Sequence, residues 1–232
     1  MGFAVKKSPL PELEADAEDD VETKGQLKAV LAHPNLAFGV IALFVYVAVE
    51  VIAGDTIGSF ALALGIEKYS IMTSYTMVCM VIGYILGIIL IPRVISQEAA
   101  LTASGVLGVA LSVGVLVADN SSFAIANTLS FILGDVQFPD SIMLLAFLGL
   151  ANAIVWPAVF PLAISGLGKL TSVGSALLVM GIAGGAFGPM FWSLASGSSG
   201  TAEAAQSGYI VLIPCYLFIL FYAVKGCKMR SW

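Results

Sequence analysis

Between Ser141 and Gly168 the chain carries no charged residue. That run is longer than the roughly 20 apolar residues a helix needs to cross a bilayer. It sits in GLANAIVWPAVFPLAISGLGKLTSVGSALLVMGIAGG (149–185), where a short Gly/Lys/Thr/Ser turn around Lys169 leads into a second apolar run. The pair reads as a helical hairpin that crosses a membrane twice. Composition extends this reading to the whole chain. Hydrophobic residues make up 59 % and charged residues 11 %, against about 45–50 % and 25 % in soluble domains. The expected fold class is an all-α membrane protein.

Six apolar segments of spanning length are expected near Leu36–Gly58, Tyr69–Ile91, Ala99–Ala118, Ile142–Ile164, Val173–Ala195 and Ala204–Val224. A seventh apolar run, Phe123–Leu133, is too short to span and is expected to be interfacial or re-entrant. With six crossings, the N-terminal tail, the Pro92–Glu98 turn, the Ser165–Ser172 turn and the C-terminal tail share one side. Of the ten Lys and Arg residues, only Lys68 then falls on the other side. Basic flanks stay cytoplasmic, so both termini are expected inside a plasma (inner) membrane. Residues 1–35 read as an acidic tail or linker ending in a short amphipathic surface helix over Lys24–His33. Residues 36–225 form the membrane unit, and 226–232 a basic tail.

The net charge of −5 reflects that acidic tail, since Glu12–Glu22 holds seven of the fifteen acids. No basic patch exists to neutralise phosphates, which excludes nucleic acid as a partner. Cys79, Cys215 and Cys227 show no disulfide or metal spacing with each other or with His33. Neither a metal nor another cofactor is expected. No His-Glu-x-x-His, Gly-x-Ser-x-Gly or phosphate-binding Gly/Lys loop is present, so an enzyme is not expected. Gly83 and Gly87, and the Gly181, Gly185 and Gly188 group, are small residues suited to close helix contact, or to thin walls beside a cavity.

Titratable chemistry is concentrated in the first segment, FVYVAVEVIAGDTIGSF. Glu50 falls slightly past mid-membrane, where a carboxylate costs at least about 2.5–3.5 kcal/mol on insertion scales and usually faces a polar cavity or a partner. Burial disfavours its charged form, so Glu50 either loads and releases a proton or makes a structural hydrogen bond. Asp55 is a second proton-coupling candidate or a helix end meeting water, and Gly-Asp-Thr there invites a helix break. Tyr46, four residues before Glu50, shares its face. It would donate to the carboxylate or a substrate hydroxyl, or simply pack. In the fourth segment Asn152 and Trp156 stand four apart, an amide and an indole suited to a sugar's hydroxyls and C–H face, or equally to helix packing. Pro157 and Pro161 each remove a helix hydrogen bond and should kink this segment, which makes them gating candidates.

The run WP-x-x-x-PLAI-x-GLGK within 149–186 resembles the tenth and eleventh helices of the glucose/galactose transporter and fucose permease family. These are sugar:proton symporters of the major facilitator superfamily with twelve helices. VYVAVEVIAGDTIGSF is similar to their seventh helix, LIPRVISQEAAL to their loop between helices eight and nine, and LPELEADAEDD to their central loop. The resemblance covers nearly the whole chain, yet only the second six-helix half of such a protein is present, with Gly2–Val5 read as the tail of a sixth helix. It implies one half of a major facilitator fold, with a monosaccharide and a proton as ligands and alternating access against an N-terminal six-helix half or a second half-transporter. On that basis Tyr46, Glu50, Asn152 and Trp156 would contact substrate. The main proton-carrying acids would lie in the other half. The alternatives are a non-transporting membrane partner or truncated half, and the same fold carrying another small polar solute.

Overall fold

A computed structural model describes residues 19–91, 93–129 and 138–231. The acid run before Asp19, the Gly2–Val5 segment and the end of the Phe123–Leu133 run lie outside those residues. Among the described residues six helical stretches are long and apolar enough to cross a membrane. They are Pro34–Ala63, Tyr69–Leu90, Gln97–Val117, Asp140–Ile164, Gly168–Ser196 and Ala202–Lys228. Each coincides with one of the six expected segments. A shorter helix, Asp19–Leu31, begins earlier than the expected surface helix and buries Val30 while leaving Leu27 and Leu31 exposed. Ala124–Thr128, within the seventh apolar run, is a five-residue helix and does not span.

The first span differs most from expectation, because it continues five residues past Gly58 and is not broken at Gly-Asp-Thr. Thr56 is held inside the helix: its hydroxyl donates to the Ile52 carbonyl at 2.7 Å and meets the Tyr209 hydroxyl of the sixth span at 3.0 Å. Asp55 points to the exposed side and does not compete for backbone groups. The helix stops where the backbone can turn left-handed. Gly65 has φ 76°, its N–H bonds the Leu62 carbonyl, and the Ile66 N–H bonds that of Ala61. That hydrogen-bond pair is a Schellman ending, which glycine adopts without strain.

Two other spans are interrupted at mid-depth. The fourth consists of Asp140–Ala153 and Val155–Ile164, separated at Ile154. The break comes one turn before Pro157, whose ring nitrogen cannot donate to the Ala153 carbonyl. The fifth is divided by a 3₁₀ turn, Gly181–Ala183, between Thr171–Met180 and Gly184–Ser196.

Packing centres on the first and fourth spans, whose apolar windows are 56 % and 67 % buried, against 22 % for the second and fifth. The expected small-residue contacts are present. A Cβ at Gly83 would come within 2.6 Å of Ala153, at Gly181 within 3.1 Å of Leu43 and at Gly188 within 2.5 Å of the Ala48 carbonyl. The closest approaches to a neighbouring backbone are at Gly184, against the Phe44 carbonyl, and at Gly149, against that of Thr76.

Polar ties close both ends of the bundle. At the cation-rich end Asn35 Nδ2 donates to the Ala163 and Ser165 carbonyls at 3.1 and 3.3 Å, and Arg230 donates to Ser165 at 2.7 Å. Lys228 pairs with Glu98 at 2.8 Å. At the other end Gln206 Nε2 donates to the Val115 and Ala118 carbonyls, and its Oε1 accepts from Asn120. Asn120 Oδ1 in turn accepts from Ser141, while Asp140 accepts from Ser122 and from the Ile125 N–H. The first span's start, the turn before Gln97, the Ser165 turn and the C-terminal segment thus share one end, as six crossings require.

Gly149 offers a direct test of this packing. Gly149→Ala puts a methyl against backbone of the second span and should cost about 1–3 kcal/mol, the usual overpacking range. The check is the thermal unfolding midpoint of detergent-solubilised protein. Gly25→Ala, with nothing within 4 Å of the added carbon, should not lower it.

Candidate functional site

Glu50 stands just past the middle of its 30-residue helix, and the side chain that meets it is Tyr46 of the same helix. The Tyr46 hydroxyl, one turn away on the same face, lies beside the Glu50 carboxylate and near the hydroxyl of Tyr84 from the second span. Tyr46 is only 1 % exposed. Its ring lies 6.4 Å from that of Trp156, and Trp156 stacks on Phe160 at 6.2 Å. Glu50 itself is half-buried. A carboxylate beside the Tyr46 phenol follows the rule that intramembrane acids find polar partners.

Beside this group lies a cavity of about 510 Å³ between the second span, the start of the third and the break in the fourth. Tyr84, Gly87, Gln97, Ile154, Trp156 and Pro157 are among its lining residues. A largely aliphatic and aromatic wall with a few polar groups, in this size range, is typical of small-molecule sites. Ile154, where the fourth span is interrupted, and Pro157 one turn on both form part of the cavity wall.

Asn152 lies on the far side of the break and is fully buried, as is Tyr216 of the sixth span. The Tyr216 hydroxyl donates to Asn152 Oδ1 at 2.8 Å. Asn152 Nδ2 is buried without a hydrogen-bond partner. The Tyr216 ring fits where Gly108 has no side chain, since a Cβ there would overlap it.

The residues singled out from sequence therefore separate into groups. Tyr46, Glu50 and Trp156 come together, and Pro157 lines the same cavity. Asn152 faces Tyr216 rather than sharing an open surface with Trp156. Asp55 is exposed, five residues along from Glu50, which turns it about 140° round the helix and away from this group. Pro161 lies a turn further along the fourth span than Pro157. Sequence reasoning missed Tyr84 and Tyr216. Tyr84 stands between the two packing glycines Gly83 and Gly87, and a tyrosine hydroxyl in mid-span was the available signal. Among the described residues no group of three or more His, Cys, Asp and Glu side chains gathers as a metal site.

No protein-family model matches the chain. It is 31 % identical over 225 residues to a Helicobacter pylori protein provisionally named glucose/galactose transporter, covering 93 % of this chain and 49 % of that one. It is 29 % identical over 228 residues to a glucose/galactose transporter of Brucella abortus, covering 97 % and 50 %. The relatives carry the names of transporters, not enzymes. The chain spans about half their length. Among solved structures, a crystal structure of the major facilitator superfamily transporter FucP in the outward conformation superposes with TM-score 0.64 at 22 % identity, over 82 % of this chain and 41 % of that one. The six spans, their order and the similarity in sequence lead to one assignment: the chain is a half-length homologue of the glucose/galactose transporters, built as one six-helix half of the major facilitator fold.

Proposed function

We propose that the chain is the C-terminal half of a proton-coupled monosaccharide transporter of the glucose, galactose or fucose class, working by alternating access against a second six-helix half. The observation that carries this reading is the mid-depth grouping of Glu50, Tyr46, Tyr84 and Trp156 beside a cavity at a broken helix. Transport sites of this fold class lie near the bilayer midplane and are built from discontinuous helices. Trp156 offers an indole face to the sugar's C–H groups, while Tyr84 and Glu50 offer hydrogen bonds to its hydroxyls. Asn152 supplies a further amide contact. Glu50 takes up the coupling proton, with Tyr46 holding its carboxylate, and Asp55 is a second proton acceptor nearer the Lys68 end. The Pro157–Pro161 segment moves as the gate, because its missing hydrogen bonds lower the cost of bending there. Both termini face the cytoplasm across a plasma membrane, a reading supported by the gathering of Lys28, Arg93, Lys169, Lys225, Lys228 and Arg230 at one end.

Two measurements test this reading. With Trp156 as the sole tryptophan (Trp192→Phe and Trp232→Phe), glucose or galactose should slow quenching of its fluorescence by a water-soluble quencher. Unchanged quenching at saturating sugar would remove Trp156 from the site. In proteoliposomes holding the chain together with its second six-helix half, Glu50→Gln should reduce proton-gradient-driven sugar accumulation about tenfold or more while leaving sugar exchange at equal pH in place, as expected for an intramembrane proton acceptor. Wild-type accumulation in that variant would refute the coupling role.

A further inference from the structure

The Asn152–Tyr216 pair has an asymmetry that the sugar-site reading does not use. An amide has one acceptor oxygen and a two-proton donor nitrogen. Tyr216 occupies the oxygen at 2.8 Å, and the nitrogen is left without a partner although the residue is 0 % exposed. A buried polar group without a partner costs about 1–3 kcal/mol, and such groups in folded proteins are ordinarily met by a ligand or an internal water. Ala153 and Ile154, the next residues along the helix, line the cavity, while Asn152 itself is buried beside the interruption. Gly108 makes the arrangement rigid, because the Tyr216 ring fills the space its missing side chain leaves.

We propose that Asn152 Nδ2 is a preset, donor-only binding point for a hydroxyl-type oxygen, either an internal water or a sugar hydroxyl, and that Tyr216 is the positioning residue that presets it. The sugar arm of this proposal rests on the transport reading above; the water arm does not. With the oxygen held by Tyr216, the amide can give a hydrogen bond but cannot receive one. It therefore accepts any oxygen with a free lone pair and discriminates against a group that must donate. A fluorine in place of the contacted hydroxyl, which can only accept, would be tolerated better than a hydrogen in the same place.

The test is side-chain amide NMR of ¹⁵N-labelled chain in lipid nanodiscs, with the Asn152 resonances assigned by their loss in Asn152→Leu. Without sugar, the Nδ2 protons should show a through-space cross-peak to a bound water. Saturating glucose should either replace that peak by one to the sugar, which upholds both arms, or leave it unchanged, which upholds the water arm and removes the sugar from this residue. Nδ2 protons with neither cross-peak, or protons directed at the Tyr216 oxygen, would overturn the proposal whatever the chain transports. Tyr216→Phe keeps the ring against Gly108 and removes only the hydroxyl. It should free the amide to invert, weakening the contact about fivefold, the scale of one neutral hydrogen bond, and erasing the preference for a deoxyfluoro over a deoxy sugar where sugar binds. Asn152 resonances unchanged in Tyr216→Phe would overturn the positioning role, and this variant remains informative if Asn152→Leu fails to fold.

Discussion

In hydrocarbon no water is available to a backbone N–H or C=O that lacks a partner, so a spanning chain must satisfy every such group within protein. That constraint governs where this chain departs from straight helix. The fourth span breaks at the half-buried Ile154, and the fifth at Gly181–Ala183, where Gly181 is buried while Ile182 and Ala183 are exposed. The fifth-span break packs on Leu43 and Phe44 of the first span. The fourth-span break borders the cavity that Tyr84 and Trp156 line. The first span packs against both interrupted spans, and its own backbone is continuous from Pro34 to the Schellman ending after Ala63.

The same helix carries the acid of the membrane interior that the bundle surrounds with polar partners. Glu50 lies beside the Tyr46 hydroxyl, which in turn neighbours that of Tyr84, and the Asn152–Tyr216 pair joins the fourth and sixth spans. The site and the fold thus draw on the same residues. Gly83 brings the second span against the fourth and so sets Tyr84 near Trp156, while Gly108 admits the ring of Tyr216. Small residues in this chain define the space around the chemistry as well as the packing between helices.

Much of the architecture is legible in the sequence for physical reasons. Hydropathy over spanning lengths marks all six helices, and the placement of Arg93, Lys169 and Arg230 marks which turns share an end. The Trp156–Pro157 run carries both the family resemblance and the helix break. What is not legible depends on tertiary partners. Gly-Asp-Thr reads as a break, yet Tyr209 and the Ile52 carbonyl hold Thr56 within a continuous helix. The 3₁₀ turn at Gly181–Ala183 is hidden because glycines in an apolar run signal close packing without saying whether the backbone also bends. Asn152 and Trp156 share a face by spacing, but the break at Ile154 lies between them, and the amide turns to a tyrosine sixty-four residues away. Tyr84 and Tyr216 gain meaning only once their helices are placed.

The central claim is that Trp156 borders a water-accessible cavity and that Glu50 faces the same protein-lined space at mid-depth, not lipid. Spin labels at positions 50 and 156, on a cysteine-free background in lipid nanodiscs, measure this directly through their relative accessibility to oxygen and to a water-soluble nickel reagent. The account predicts mid-depth positions with collision rates dominated by nickel. Rates dominated by oxygen at both positions would mean that these side chains face lipid, and would contradict it.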